Sequence, residues 1–349
     1  MKPTAAGSPP TFIAIDGGST NTRVWLLKHG QVEARSSAMV GVRDTVREGS
    51  PAKLHATVRD LIAQVRAARP DVRPTLVAGA GMITSSLGLA EVPHVMAPAG
   101  VEDLARGARQ VTVPGITDLP CWLFPGVRCR AAVPSEVVAS DVMRGEETLC
   151  VGLTALGRVA LPGTILTLGS HWKLIELQRD GAIARSRTSI SGELIHSVQT
   201  GTVLASSLPE GRLEKLDVPW CRRGMAEARK SGLPRALFCV RMLDLDGGSN
   251  PEQRMSFLLG AFVEAELVAL LDSGPLASGK PMVVVGSGAV AEAWRMALVA
   301  QNLPAQVLAE DQAEAAFLAG LGQLVPRVLN REEPFGDSPK PFKVRLANS

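Results

Sequence analysis

Residues 13–27 read IAIDGGSTNTRVWLL, in which a turn of Gly, Ser and Thr separates two short apolar runs. Two β-like runs around a glycine turn predict a hairpin at the start of a domain. Backbone N–H groups and hydroxyls in such a turn can contact a phosphate without steric obstruction. Asp16, at the end of the first run, is placed to hold Mg²⁺ through water. An ordinary hairpin with a polar turn is the alternative, because Asp-Gly turns are common.

The same pattern returns at residues 166–177, LTLGSHWKLIEL, where another glycine turn lies between two apolar runs. A unit of strand, small-residue turn, strand and hairpin therefore stands at the head of each half of the chain, as a weak internal repeat. Two such turns, one in each lobe, are what a nucleotide clamped between two lobes requires. His171 taken alone fits a structural histidine. Lys173 fits either a solvated strand residue or a partner for phosphate or carboxylate.

A third unit, VVVGSGAVAEAW at residues 283–294, is a strand, a Gly-x-Gly turn and a helix. The N-terminal amides of such a helix can face a ligand. The unit lacks the third glycine and the early position of a dinucleotide-binding fingerprint. Because this unit follows two predicted phosphate turns along the chain, its turn is predicted to contact adenosine.

The segment SDVMRGEETLCVGL, residues 140–153, places Asp141, Glu146 and Glu147 around Arg144. It leads into a predicted helix that should join the two lobes. A carboxylate at the entrance of a cleft can accept a hydroxyl proton or order the water around Mg²⁺, and an arginine can bind an anionic substrate. The alternative is that Asp141 or the glutamates stabilise the N-terminus of the helix.

The composition indicates a globular chain with room for two lobes: 46% of its 349 residues are hydrophobic and 20% are charged. A formal charge of +3 is too close to neutral to indicate nucleic-acid binding. The sequence contains no run of about 18 apolar residues, so no membrane span is predicted. The five cysteines form no C-x-x-C pair and the first ten residues lack a signal-peptide core, so we expect a cytoplasmic protein. The P-loop motif is absent, so ATP would have to bind by the two-lobe route.

Breaks in the pattern divide the chain into four parts. Residues 1–11 are predicted to be a flexible N-terminus, and residues 330–349 a polar tail interrupted by prolines. Between them we expect an N-terminal lobe over residues 12–150, which carries the first phosphate turn. A C-terminal lobe over residues 151–329 would carry the second phosphate turn and the adenosine site.

The order of phosphate turn, interdomain helix, phosphate turn, adenosine turn and closing helix resembles the superfamily of actin, heat-shock chaperones and sugar kinases. Within it, the chain most resembles the bacterial 2-dehydro-3-deoxygalactonokinases. The shared motifs together span roughly residues 12–325. They are IAIDGGSTNTRVWLL, AGAGMITSSLG, DVMRGEET, LGSHWK, SGEL and LLGAFVEAE. DVMRGEET is the most specific of them.

Several positions depart from the pattern of that family. Gly17 stands where tryptophan is common, and Trp172 precedes Lys173 instead of following it. Leu89 and His94 stand where Trp and Tyr are expected, and both are candidates for lining the sugar-acid pocket. These departures therefore bear on which sugar acid is bound more than on which reaction is catalysed.

The resemblance implies an α/β, two-lobed actin-like ATPase fold, also called ribonuclease H-like, with the nucleotide cleft between the lobes. It implies transfer of a phosphoryl group from ATP, with Mg²⁺, to the terminal (6-) hydroxyl of 2-dehydro-3-deoxy-D-galactonate in galactonate catabolism. The N-terminal lobe would hold the sugar-acid site.

Each candidate residue then has an expected role. Glu146 ranks first as the catalytic base and Asp141 second, while Asp16 would order the metal ion. The sugar acid would be bound by Arg144, Arg23, Lys173, Ser85 and Ser86. The nucleotide would contact Gly17, Gly18, Ser19, Thr20, Asn21, Gly169, Ser170, His171, Gly286, Ser287 and Gly288.

Three other functions fit parts of the pattern. A kinase of the same superfamily that acts on another sugar acid or an amino sugar is the nearest alternative. A non-catalytic sugar-sensing regulator usually carries a DNA-binding helix-turn-helix before the first turn, and only 11 residues precede Phe12. A chaperone-like or filament-forming ATPase needs a peptide-binding domain or large insertions. The expected partners are a sugar acid and ATP, without nucleic acid or membrane, and a homodimer is compatible with the sequence.

Overall fold

The structure is a computed structural model that describes residues 9–130, 140–272 and 282–330. Most of the predicted flexible N-terminus and of the predicted polar tail lies outside these ranges. The described strands are β1 (Phe12–Gly17), β2 (Thr22–Lys28), β3 (Gln31–Ala38), β4 (Leu76–Gly81), β5 (Val95–Met96), β6 (Arg109–Val111), β7 (Cys121–Leu123), β8 (Val127–Cys129), β9 (Asp141–Met143), β10 (Gly163–Leu168), β11 (Trp172–Leu177), β12 (Ile183–Ser189), β13 (Met282–Val285) and β14 (Ala305–Leu308). The described helices are α1 (Val42–Glu48), α2 (Ala52–Ala68), α3 (Val101–Gly107), α4 (Glu146–Ala155), α5 (Ser191–Gly201), α6 (Val218–Ser231), α7 (Leu233–Leu245), α8 (Pro251–Asp272), α9 (Gly288–Ala300) and α10 (Glu310–Leu329).

The first sheet has the strand order β3-β2-β1-β4-β7-β6. Strands β1, β2 and β3 pair antiparallel, whereas β4 pairs parallel to both β1 and β7. Strand β1 is central, and its residues Phe12 to Ile15 are buried on both faces. An apolar run without polar alternation is typical of a strand that is covered on both sides.

The second sheet repeats this arrangement with the order β12-β11-β10-β13-β14. Strands β10, β11 and β12 form the antiparallel meander, and β13 pairs parallel to β10 and to β14. The two glycine turns of the sequence repeat thus occupy the same place in two sheets that share a five-strand arrangement, to which the first sheet adds β6. The predicted fold class, a two-lobed ribonuclease H-like α/β fold, is confirmed.

Helices cover both faces of each sheet, and two of the helices lie between the sheets. One continuous core joins the inner faces of both sheets to α4 and α10; its members include Phe12, Ala14, Cys150, Leu153, Ile165, Ile175, Leu321 and Leu324. A second core packs α2 on the outer face of the first sheet. A third core packs α6, α8 and α9 on the outer face of the second sheet. The order of layers is therefore helix, sheet, helix pair, sheet, helix.

The two central helices touch through their backbones. A Cβ atom at Gly152 of α4 would lie 1.6 Å from the Ala316 carbonyl oxygen of α10, and one at Gly320 would lie 1.9 Å from the Thr148 carbonyl oxygen. Only glycine permits this separation, because a side chain at either position would overlap the backbone of the facing helix. The closeness of the crossing fixes the place of α4, whose first residue is Glu146.

Several elements were not predicted from the sequence. The short strands β5, β8 and β9 form a third sheet, and four helices, α5 to α8, follow β12. The predicted helices near residues 51–68 and 311–324 are confirmed as α2 and α10, the second of them longer than predicted. No helix in the described ranges is long and apolar enough to cross a membrane.

Candidate active site

The first glycine turn follows β1, at the edge of the sheet where the parallel strand β4 also ends. Gly17 and Gly81 lie opposite each other in the register of these strands. Inside the turn, the Gly18 N–H donates to the Asn21 carbonyl oxygen at 2.8 Å. Turn residues with at least partial exposure are Gly18, Ser19, Thr20 and Asn21. The backbone and hydroxyls of this turn are therefore accessible to a ligand.

Asp16, the last residue before the glycines of this turn, is ion-paired with Arg23 of β2. Arg23 Nη2 donates to Asp16 Oδ2 at 2.6 Å, and the aspartate side chain is 19% exposed. Burial acts to lower the pKa of Arg23, but the Asp16 carboxylate opposes this, and the pKa is raised overall. Arg23, a predicted ligand of the sugar acid, thus already has the predicted metal ligand as its partner.

The second glycine turn, Gly169 to His171, connects β10 to β11, and the N-terminus of α5 packs against it. The Glu193 N–H of α5 donates to the Ser170 carbonyl oxygen at 2.9 Å. His171 Nε2 lies 3.9 Å from Glu193 Oε1. The SGEL motif of the sequence therefore supports the second turn.

The third turn, Gly286 to Gly288, leads from β13 into α9. The segment that precedes α6 lies against it, because the Ala289 N–H donates to the Leu213 carbonyl oxygen at 3.4 Å. This segment also lines an open cavity of about 720 Å³, formed by residues 209, 210 and 212–219 together with Asn250, Glu252 and Gln253. An open cavity with both apolar and polar lining residues therefore adjoins the turn that was predicted to contact adenosine.

Gly145 sets the direction of the segment that enters α4. Its φ of 120° is accessible to glycine and strained for other residues. A Cβ atom at Gly145 would lie 3.2 Å from the Gly81 Cα atom, at the end of β4. Because Gly81 is opposite Gly17, the start of α4 lies beside the first glycine turn.

Glu146, at the N-terminus of α4, faces Lys173 of the second lobe. Glu146 Oε1 lies 3.7 Å from Lys173 Nζ, and the lysine side chain is only 8% exposed. Glu146 Oε2 is buried and has no hydrogen-bond partner among the described residues. A buried ammonium group and a buried carboxylate oxygen, both with free hydrogen-bonding capacity, therefore meet between the two glycine turns.

Glu147 is a buried acid whose function sequence reasoning missed. Its two carboxylate oxygens accept from the Val127 N–H at 2.7 Å and from the Gly145 N–H at 2.6 Å. Burial, together with the nearby Glu146 carboxylate, raises the pKa of Glu147 to about 7. The adjacent acidic pair in the sequence was the available signal, but sequence alone does not show which member is buried. Glu147 ties the Gly145 turn to the third sheet.

Asp141 lies in β9 and does not cap a helix, so the capping alternative for this residue is wrong. The position before α4 is occupied by Gly145. Asp141 Oδ2 accepts from Ser186 Oγ at 2.5 Å and from Thr188 Oγ1 at 2.9 Å. Thr188 is the neighbour of Lys173 in the sheet register. Asp141 therefore joins the third sheet to the second lobe, one strand from Lys173.

Arg144 uses its guanidinium within the protein. Nη1 donates to the Thr84 carbonyl oxygen at 2.8 Å and to its Oγ1 at 2.6 Å, while Nη2 donates to the Val92 carbonyl oxygen at 2.9 Å and lies 3.1 Å from a ring nitrogen of His94. Burial lowers the pKa of Arg144. Both terminal nitrogens of Arg144 are therefore already paired with residues 84–94, which disfavours the expected direct contact with a substrate carboxylate.

The segment held by Arg144 contains the two predicted serines. Ser85 Oγ donates to the Met82 carbonyl oxygen at 2.6 Å, which makes it a turn residue, and Ser86 is exposed. Leu89 packs against the outer core of the first lobe. Burial and the charge of Arg144 lower the pKa of His94 to about 4, which keeps its imidazole neutral near pH 7.

The fold brings part of the predicted set together. Asp16, the first glycine turn, Glu146 and Lys173 are connected through Gly81 and Gly145. The second turn joins this group through β11, which carries Lys173. No hydrogen bond or ion pair within the described ranges connects Ser85 or Ser86 to Lys173.

Metal binding would rely on few protein ligands. The described ranges contain no group of three or more His, Cys, Asp or Glu residues that could hold a metal ion. Magnesium in nucleotide sites is compatible with this, since it usually takes one or two carboxylates and fills its shell with water and phosphate oxygens.

The chain is similar over nearly its whole length to proteins named as 2-dehydro-3-deoxygalactonokinases. The model of the family described as 2-keto-3-deoxy-galactonokinase matches residues 16–324. The 2-dehydro-3-deoxygalactonokinase of Escherichia coli K12 is 27% identical over 329 residues, which cover 91% of this chain and 99% of the relative. A Rhizobium meliloti strain 1021 protein assigned the same activity is 25% identical, with coverages of 90% and 97%.

A solved structure has the same fold. It is a crystal structure of a Sinorhizobium meliloti protein that is assigned as a 2-dehydro-3-deoxygalactonokinase. It superposes with a TM-score of 0.72 at 23% identity and covers 92% of this chain and 100% of that one.

Proposed function

Because the chain belongs to the 2-keto-3-deoxy-galactonokinase family, we propose that it transfers a phosphoryl group from ATP to the terminal (6-) hydroxyl of 2-dehydro-3-deoxy-D-galactonate. The product would enter galactonate catabolism. Family membership supports the reaction and the substrate class.

The meeting of Glu146 and Lys173 is the observation that carries the proposal. A carboxylate oxygen that is buried without a partner is a costly arrangement unless a ligand completes it. A substrate hydroxyl would supply the missing hydrogen bond and could give up its proton to Glu146. Glu146 is therefore proposed as the catalytic base, and Asp141, which already accepts two hydroxyl hydrogen bonds, ranks behind it.

We assign the nucleotide to the three glycine turns. The first turn (Gly17 to Asn21) and the second turn (Gly169 to His171) would bind the phosphates through backbone N–H groups and hydroxyls. The third turn (Gly286 to Gly288) would bind adenosine, and the adjoining cavity of about 720 Å³ has room for the base.

Asp16 fits a magnesium ion. Its Oδ1 atom lies 3.2 Å from where a Cβ atom of Gly81 would be, so the glycine leaves space beside a carboxylate oxygen that Arg23 does not occupy. One carboxylate is enough for Mg²⁺ when water and phosphate oxygens complete the shell. When bound, Mg²⁺ would neutralise phosphate charge that develops during transfer. We therefore propose Asp16 as the residue that holds it.

Lys173 replaces Arg144 as the proposed first partner of the sugar-acid carboxylate. A carboxylate brought into a water-excluded cleft needs a cation. Arg144 is paired with residues 84–94 and Arg23 with Asp16, whereas the buried Lys173 has, among the residues that the structure describes, one charged contact, at 3.7 Å. Arg144 would then act as a positioning residue that holds the segment from Thr84 to His94 against the site.

A coupled assay for ADP release tests the proposed function. With ATP, Mg²⁺ and a panel of 2-keto-3-deoxy sugar acids, we expect the highest kcat/KM for 2-dehydro-3-deoxy-D-galactonate. Higher activity with another sugar acid or with an amino sugar would favour the nearest alternative, a related kinase of different specificity. A chain that binds sugar acid but releases no ADP would contradict the kinase assignment.

The same panel separates the roles of the cations. Replacing Lys173 with Met should raise the KM for the sugar acid more than the KM for ATP, because only the sugar acid would lose its charged partner. An equal rise in both would make Lys173 a phosphate contact instead.

Cellular location and assembly remain proposals. We propose a cytoplasmic enzyme, because ATP is its phosphoryl donor and all five cysteines are free thiols in the structure. A homodimer is the assembly to test first, by light scattering on the purified protein.

A further inference from the structure

Arg43 and Glu193 form an ion pair that joins the two lobes beside the glycine turns. Arg43 Nη2 donates to Glu193 Oε1 at 3.0 Å. Arg43 belongs to α1 of the first lobe, and Glu193 belongs to α5 of the second. Their side chains are 38% and 40% exposed, so a ligand that enters the cleft can reach both of them.

The backbone of each partner is fixed to one of the turns. The Arg43 N–H donates to the Ser19 carbonyl oxygen at 2.9 Å, and the Glu193 N–H donates to the Ser170 carbonyl oxygen at 2.9 Å. His171 Nε2 lies 3.9 Å from the same carboxylate oxygen that Arg43 contacts. The guanidinium of Arg43 is therefore held between the two turns to which the proposed function assigns the ATP phosphates.

The chemistry of the Arg43–Glu193 ion pair is compatible with an exchange in which a phosphate group replaces the carboxylate as the partner of Arg43. An ion pair with this exposure adds little to folding stability, because water screens it. A guanidinium binds phosphate well, since its fork can donate two parallel hydrogen bonds. A carboxylate at the same place repels phosphate. A phosphate oxygen that replaces the carboxylate would relieve this repulsion and keep the arginine paired.

On the basis of the proposed function, we propose that Arg43 binds a phosphate group of the nucleotide, and that Glu193 holds the arginine between the turns when the site is empty. Glu193 then competes with the nucleotide for Arg43. The two members of one ion pair must therefore have opposite effects on nucleotide affinity. An ion pair that serves only to hold the lobes together would give effects of the same sign.

Calorimetric titration with ADP, with the non-hydrolysable analogue AMP-PNP and with adenosine tests this inference. Arg43→Ala should weaken ADP and AMP-PNP binding roughly tenfold, as expected for loss of a charge-assisted contact, and leave adenosine binding unchanged. Arg43→Lys should lie between wild type and Arg43→Ala, because the charge remains and the fork is lost. Glu193→Gln should tighten ADP binding about two- to threefold, the scale of an exposed ion pair.

Arg47→Ala is the matched control, because Arg47 is an exposed arginine in the same helix, and its nucleotide affinity should equal that of wild type. Unchanged ADP binding by Arg43→Ala, or weaker ADP binding by Glu193→Gln, would overturn the inference alone. If the wild-type protein bound neither ADP nor AMP-PNP, the result would contradict the proposed function and this inference together.

Discussion

At the scale of single residues, Glu146 and Asp141 differ in what their oxygens already contact. Glu146 has a buried oxygen without a described partner, whereas Asp141 accepts from Ser186 and Thr188. Glu146→Gln keeps the shape of the side chain and removes the proton acceptor. We expect kcat to fall about 10²–10⁴-fold, the usual range of general-base catalysis, with both KM values near normal.

Asp141→Asn should lower kcat much less than Glu146→Gln and should appear mainly as a lower Tm. The reason is the loss of one or two hydroxyl hydrogen bonds between the third sheet and β12, each worth about 1 kcal/mol. Steady-state kinetics and thermal unfolding of both variants check the order. An inactive Asp141→Asn beside an active Glu146→Gln would reverse the assignment of the base, and two active variants would leave positioning and charge as the basis of catalysis.

Asp16 can be tested against its own ion-pair partner. Asp16→Ala should cost about 10²-fold or more in kcat, in line with the several kcal/mol that a metal contributes to phosphoryl transfer, with a smaller change in ATP affinity. Arg23→Gln breaks the same ion pair but keeps the carboxylate, so its loss should stay below about tenfold. Activity measured over a range of Mg²⁺ concentrations distinguishes the two. Near-normal turnover of the Asp16→Ala variant would show that Asp16 is only a turn residue.

At the scale of secondary-structure elements, the turn before α4 depends on the buried carboxylate of Glu147. The pKa of this acid is raised to about 7 in the folded protein, whereas an unfolded glutamate titrates near pH 4.3. The folded state therefore binds the proton more tightly than the unfolded state does. The associated stability is fully present below the unfolded pKa and is lost as the pH rises to about 7.

Glu147→Gln tests this titration. The glutamine has one acceptor oxygen for two backbone N–H groups, so the variant should lose about 1–3 kcal/mol of stability at acidic pH. The difference from wild type should shrink between pH 5 and pH 8, because only wild type loses stability by ionising Glu147. Urea unfolding at several pH values measures it. A difference that stayed constant over this range would show that Glu147 does not titrate there.

The crossing of α4 and α10 gives a second test at this scale. Gly320→Ala would place a Cβ atom 1.9 Å from the Thr148 carbonyl oxygen, so the helices must separate, at a cost of about 1–3 kcal/mol. Gly322→Ala, two residues along the same helix, meets no atom within 4 Å. That control should be stabilised by about 0.5–1 kcal/mol through helix propensity. Equal effects of both substitutions on urea unfolding would contradict the close crossing.

At the scale of the whole molecule, one core runs from the first sheet through α4 and α10 to the second sheet. The lobes are thus not separate folding units with a thin linker. We expect a single cooperative unfolding transition by calorimetry, with equal calorimetric and van't Hoff enthalpies. ATP analogues should shift this transition upward, because they bind only the folded state. Two resolved transitions would show that the lobes fold independently.

Sequence patterns predicted the two repeated sheets because strand periodicity and glycine turns are local properties. Each central strand is short and apolar, each is followed by a glycine turn, and a second apolar run completes each hairpin. Helices α5 to α8 and the three short strands of the third sheet escaped prediction. Strands of two or three residues carry too little periodicity to be recognised.

The sequence alone determined the fold class, the order of the three turns, and the reaction that the family resemblance implies, because these follow from motifs that are contiguous in the chain. It could not assign a role to each residue of Arg144-Gly145-Glu146-Glu147, because consecutive residues on a turn face in different directions. Only the tertiary structure decided that Arg144 holds residues 84–94, that Glu147 is buried, and that Glu146 faces Lys173 from the other lobe. Apart from Gly145, which also donates to Glu147, the partners of all three are distant in sequence, and long-range contacts are set by how the two sheets pack on α4 and α10.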